Sequence, residues 1–182
     1  MRFVLIDRIT ELHPGQSLVA TKNLSLAEEY LADHFPGFPV MPGVLMLEAL
    51  TQSGAWLLRD MEDFAHSVIV LKKAKMIKYG SFVEPGRQLQ LKVTLASHDE
   101  RDAVFKGEGV IDGQTMVKGQ LTLTRFNLRD RDPQLHTTDA SIVAGLRDLF
   151  ATLRKGSVGA RALVKAAQTE PAVATVVESA GR

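Results

Sequence analysis

The chain has 182 residues, enough for one well-packed domain of about 100–150 residues with chain left over. Its 22 Lys and Arg stand against 21 Asp and Glu, and a net charge of +1 excludes a global electrostatic footprint for nucleic acid or an anionic membrane. No cysteine is present, which excludes disulfides, thiolate nucleophiles and Cys-ligated zinc together and fits a reducing compartment.

The opening "MRFVLIDRITE" has an apolar run of only four residues before Asp7, too short for the core of a secretory leader. The most apolar region, 38–58, is interrupted by Pro39, Pro42, Glu48 and Gln52, so no membrane span is expected there. The expectation is a cytoplasmic protein with neither nucleic acid nor membrane as partner. In chain order, "RFVLID" and "SLVATKNL" flank "HPGQ", whose Pro and Gly carry turn chemistry, and predict a strand pair or a strand and an extended arm. Residues 26–32 predict a short helix, with Ser25 as N-cap and Glu28 completing a capping box.

A Pro-Gly-rich loop follows. Beyond it, residues 43–61 lack proline, are dominated by Leu, Met, Ala and Val, and begin just after Pro42. This predicts one long central helix, apolar around most of its circumference and therefore wrapped by other elements. Four strand candidates supply the wrapping: "SVIVLKKAKMIKY", "RQLQLKVTLAS", "DAVFKGEGVI" and "QTMVKGQLTLTRF". In the second, Leu89, Leu91, Val93 and Leu95 alternate with Gln90, Lys92 and Thr94; in the fourth, Val117, Leu121 and Leu123 alternate with Lys118, Gln120, Thr122 and Thr124. "IDGQ" between the third and fourth is an Asp-Gly hairpin signal. The predicted architecture is α+β, an antiparallel sheet with one solvated face curled around a single buried helix.

After Phe126 a charged, proline-ended linker, "NLRDRDPQ", opens a second region, so the chain divides into 1–126 and an extension, 127–182. In the extension Ile142, Leu146, Leu149, Phe150 and Leu153 share a helical face, with Thr138 or Asp139 as cap and Gly156 as stop. "ARALVKAAQ" predicts further helical turns and "TEPAVATVVESAGR" a weakly ordered tail.

Chemistry concentrates in "DHFPGFPVMPGVLMLEALTQ", residues 33–52. Glu48 and Gln52, four apart, share a helix face. They are either part of a solvated stripe with Arg59 and Glu62 or a pocket lining in which desolvation would raise the glutamate pKa and let it carry a proton. His34 is either a structural histidine or an imidazole held in place by a loop stiffened by Pro36, Gly37, Pro39, Pro42 and Gly43. The backbone N–H groups of Gly43 and Val44 at the helix start either close a tight turn or polarise a carbonyl. As a set, a base, an acid and oriented donors suit proton abstraction α to a carbonyl followed by loss of a β-hydroxyl. No G-x-S-x-G elbow and no H-E-x-x-H is present.

The run "HFPGFPVMPGVLMLEALTQ" resembles the signature of the FabZ-type β-hydroxyacyl-acyl carrier protein dehydratases, a hotdog-fold family, with a likeness over roughly residues 1–126. The resemblance implies that His34 abstracts the C2 proton of a (3R)-3-hydroxyacyl thioester and that Glu48 helps expel the C3 hydroxyl as water. It implies that Gln52 positions a water or Glu48, and that the Gly43 N–H polarises the thioester carbonyl. It further implies no cofactor, an acyl carrier protein as partner, an apolar tunnel beside the helix, and a homodimer, or a trimer of dimers, whose sites take histidine and glutamate from different subunits. Glutamate at position 48 distinguishes the chain from the dehydratase-isomerase branch, which carries aspartate there. Two other readings of the same fold are a hotdog thioesterase and a non-catalytic acyl-binding protein.

The chain departs from the family pattern at "KYGSFVEPGRQL", where Tyr79, Gly80, Phe82 and Arg87 replace the usual Phe, Arg, Pro and Asp. Carrier docking, loop gating and oligomer contacts depend on that segment. Lys72, Lys73, Lys75 and Lys78 either meet an acidic carrier or protect a strand edge.

Overall fold

The computed structural model describes residues 3–35 and 37–155. Strands β1 (Arg8–His13) and β2 (Ser17–Asn23) lead through a 3-10 turn (Glu29–Leu31) to helix α1 (Gly43–Met61). Four strands follow, β3 (Val68–Tyr79), β4 (Gln88–His98), β5 (Asp102–Ile111) and β6 (Gln114–Phe126); two 3-10 turns then lead to helix α2 (His136–Leu153). All six strands form one antiparallel sheet in the order β1-β2-β4-β5-β6-β3, which leaves β1 and β3 as its edges.

The strand patterns account for the layers. In β4, Leu89, Leu91 and Val93 are fully buried while Gln90, Lys92 and Thr94 face solvent. Val117, Leu121 and Leu123 do the same for β6. Asp112 and Gly113, both at positive φ (48° and 81°), make the β5–β6 hairpin turn. The buried face curls around α1, whose Met46, Ala49, Leu50, Ala55, Trp56, Leu57 and Leu58 are all buried, so little of its circumference meets water. Thr51 and Ser53 are buried as well, and their hydroxyls donate to the Leu47 and Ala49 carbonyls one turn back. This is the hotdog arrangement.

Both readings of the opening segments have a counterpart: β1 and β2 pair, with β1 starting at Arg8, and residues 3–6 run as an arm along α1. Two local expectations are corrected. The helix expected over 26–32 contracts to the 3-10 turn, since the Glu28 carboxylate goes to Lys22 Nζ at 2.5 Å instead of closing a capping box on Ser25. Helix α2 begins at His136, so neither Thr138 nor Asp139 caps it. Asp139 is 3% exposed and accepts hydrogen bonds from the Ser67 hydroxyl and from the N–H groups of Leu128 and Arg129, both at 3.0 Å. Burial opposes ionisation of that carboxyl, yet these three donors outweigh it and hold it below the usual carboxylate range. The expected stop at Gly156 and everything after it lie outside the described residues.

Helix α2 packs on the C-terminal half of α1. The Phe150 ring stacks on Trp56 (centroids 5.6 Å apart) and meets Phe64 edge-on, and Leu153 is buried beside them. Arg147 ties the helix to Asp63, donating to its carboxylate at 2.8 Å and to its carbonyl at 2.6 Å.

Candidate active site

His34 sits on the loop before α1, and its Nδ1 lies 2.9 Å from the Val40 carbonyl oxygen. A carbonyl only accepts, so in the neutral ring Nδ1 carries the hydrogen and Nε2 keeps its lone pair. Two devices hold the loop around it. The next residue, Phe35, adopts φ 57°, a left-handed conformation that a bulky residue rarely takes. Its carbonyl accepts from Phe38 N–H at 2.7 Å, closing a tight turn.

Helix α1 starts without a side-chain cap, since Pro42 occupies the N-cap. The Pro42 carbonyl accepts from Leu45 and Met46, leaving the Gly43 and Val44 N–H groups ahead of the first helical acceptor. Gly43 joins His34, Met41, Met46 and residues 79–82 around a cavity of about 380 Å³. A Cβ on Gly43 would lie 3.1 Å from the Tyr79 ring, so glycine here lets the ring close over the helix start. Gly80 is equally constrained, because a Cβ there would fall 2.1 Å from the Thr115 carbonyl oxygen. Tyr79, Gly80 and Phe82, three of the four departures in the sequence, are thus walls of the His34 cavity, while Arg87 lies away from it and pairs with Asp112. The Val44 side chain is 67% exposed and lines neither this cavity nor the next, leaving only its backbone as a contributor.

Glu48 and Gln52 line a second cavity, of about 360 Å³. Gln52 Nε2 donates to Glu48 Oε1 at 3.0 Å and to the Phe3 carbonyl at 3.1 Å, while its Oε1 accepts from Leu5 N–H at 2.9 Å. The amide therefore braces the acid against the N-terminal arm. The solvated-stripe alternative fails for the rest of that face also. Arg59 faces the same cavity, and Glu62 pairs with Arg125 at 2.7 Å.

Within one chain, then, the fold joins His34 to Gly43 and Glu48 to Gln52, and the residues lining the two cavities do not overlap. Sequence reasoning missed Phe3, Val4, Trp56 and the α2 side chains as neighbours of Glu48. Trp56, two helical turns from Glu48, was detectable by its spacing; the others, far off in sequence, had no local signal. Of the lysines on β3, Lys72 pairs with Asp102 at 2.5 Å, and Lys73, Lys75 and Lys78 are exposed.

Comparison with known proteins extends this picture. The model of the FabA-like domain matches residues 1–120. A curated relative from Ligilactobacillus salivarius, named 3-hydroxyacyl-acyl-carrier-protein dehydratase FabZ, is 40% identical over 119 residues, 65% of this chain and 85% of the relative. The protein of the same name from Myxococcus xanthus is 39% identical over 126 residues, 67% of this chain and 81% of its own. Among solved structures, the dehydratase heterocomplex ApeI:P from Xenorhabdus doucetiae superposes with a TM-score of 0.59 at 18% identity, covering 73% of this chain and 90% of that one. The protein smu.793 from Streptococcus mutans, bound to acetyl CoA, gives 0.52 at 13% identity over 69% and 93% of the two chains. With the fold shared and two thirds of its length matched, this chain belongs to the FabA-like domain family.

Proposed function

We propose that the protein is a cytoplasmic lyase that converts (3R)-3-hydroxyacyl-acyl carrier protein to the trans-2-enoyl thioester and water in fatty acid biosynthesis. His34 Nε2 takes the C2 proton as the Gly43 N–H receives the charge that builds on the thioester oxygen. Glu48, in its protonated form, gives its proton to the C3 hydroxyl. The C3–O bond breaks, C2=C3 forms and water leaves. Proton exchange between imidazolium and carboxylate restores the site. The observation that carries the reading is the Val40 carbonyl on His34 Nδ1, which keeps the other ring nitrogen available as a base beside the helix start.

The two separate cavities support a site shared between two copies, His34 from one and Glu48 from the other. A homodimer built along β3 fits this: the strand is 12 residues long, pairs among the described residues only with β6, and exposes Val70, Met76 and Tyr79. The test is to offer the purified full chain a 3-hydroxyacyl carrier protein and follow the product by mass. The expected result is loss of water with the thioester intact. Release of free carrier thiol would show a thioesterase instead, and no change with a carrier competent for a known dehydratase would overturn the assignment.

A further inference from the structure

Helix α2 lies beyond residues 1–120, which the family model matches, yet three of its side chains, Ile142, Leu146 and Leu149, face Glu48 across the cavity of about 360 Å³. Core packing explains Phe150 and Leu153, which are 7% and 4% exposed. Leu146 and Leu149 pack against the edge of the same core, yet they and Ile142 are only half-buried and keep an apolar surface turned to the acid's cavity. The floor of the cavity is one face of α1, with Glu48, Gln52, Trp56 and Arg59 on successive turns. Eleven residues separate its two ends, roughly 16 Å at the helical rise.

The two ends differ in kind. At one sits the acid held by Gln52. At the other the Arg59 guanidinium lies 5.2 Å from the Trp56 ring centre, its Nε buried without a hydrogen-bond partner and no carboxylate in ion-pair range among the described residues. Burial pushes its pKa down to about 10, the mark of a cation short of water.

We propose that α2 is part of the substrate site: Ile142, Leu146 and Leu149 form the wall along which the substrate's acyl chain lies, and Arg59 closes the far end and limits chain length. The proposal rests on the dehydratase reading, which places C3 of the substrate at Glu48. From there the hydrocarbon limb has an apolar trough to follow. The carrier limb, rich in amides, has no such match in it. A methyl terminus driven against Arg59 would strip its remaining water and offer no counter-charge, so chains reaching that far are disfavoured. Helix α2 is held rigidly enough for the task by the Phe150–Trp56 stack, the Arg147–Asp63 bridge and the Asp139 cluster.

The test is a series of 3-hydroxyacyl carrier proteins from four to sixteen carbons, with kcat/KM measured for each on the full chain and on folded Leu146→Trp, Leu146→Ala and Arg59→Leu. Leu146→Trp fills the trough and lowers the ratio of long-chain to short-chain kcat/KM by about tenfold or more. Leu146→Ala and Arg59→Leu each move the optimum toward longer chains. Ala144→Trp, on the exposed side of α2, leaves the ratio where it was. An unchanged ratio in Leu146→Trp and Leu146→Ala, with dehydration intact in the wild type, overturns this proposal alone. If the wild type turns over no substrate, the dehydratase reading fails; chain-length-dependent binding of the same ligands, measured by calorimetry, then decides whether α2 lines the trough.

Discussion

Gln52 holds Glu48 by a 3.0 Å hydrogen bond whose direction is fixed, because the amide oxygen is already taken by Leu5 N–H. The group on the carboxylate must then be the amide nitrogen, which only donates. Replacing Gln52 by Leu frees the acid and leaves Leu5 N–H without its partner. The expected result is a fall in kcat of about tenfold with a stability loss of about 1–3 kcal/mol, read from steady-state kinetics and denaturant unfolding.

On the proposed mechanism, His34→Ala removes the base and Glu48→Gln the transferable proton. Each is expected to lower kcat by at least about a hundredfold while leaving the far-ultraviolet circular dichroism and the thermal midpoint near wild type. Retained turnover in either variant would take that residue out of the chemistry.

Phe150→Ala deletes the ring that joins α2 to Trp56 and Phe64. A buried aromatic truncation of this kind costs about 3–5 kcal/mol, so the unfolding midpoint in denaturant should drop accordingly. Protease susceptibility within 136–153 should rise with it.

Asp139 links acidity to stability. Its folded pKa is depressed, chiefly by the Ser67 hydroxyl and the Arg129 and Leu128 N–H groups acting against burial. A group of this sign contributes stability above its unfolded value of about 3.9 and loses the contribution as pH falls through the folded value. Asp139→Asn should therefore melt below wild type at neutral pH, and the gap between the two melting curves should close as the pH is taken below about 4. A gap that persists unchanged in acid would contradict the role given to the carboxylate.

Much of the fold is written in short-range pattern. Pro42 and the apolar run after it mark α1, the alternation of Leu89, Leu91 and Val93 marks β4, and Asp112-Gly113 marks the β5–β6 hairpin. Local signals misled where a distant partner competed. Glu28 left its expected cap for Lys22, and Asp139 left the end of α2 for Ser67, 72 residues away. Glu48 and Gln52 looked equally at home on a solvated face until the motif around His34 was weighed with them. That α2 faces Glu48 is a property of packing between segments about a hundred residues apart, and no periodicity carries it.

The central claim, dehydration at a site that takes His34 from one copy and Glu48 from another, is tested most directly by mixing the two inactive variants. His34→Ala and Glu48→Gln are unfolded together, refolded to random dimers, and assayed for 2-enoyl product. Only the mixed dimer carries an intact pair, at one of its two sites, so activity should return to about a quarter of wild type. Mixed dimers verified by mass that form no product would contradict the account.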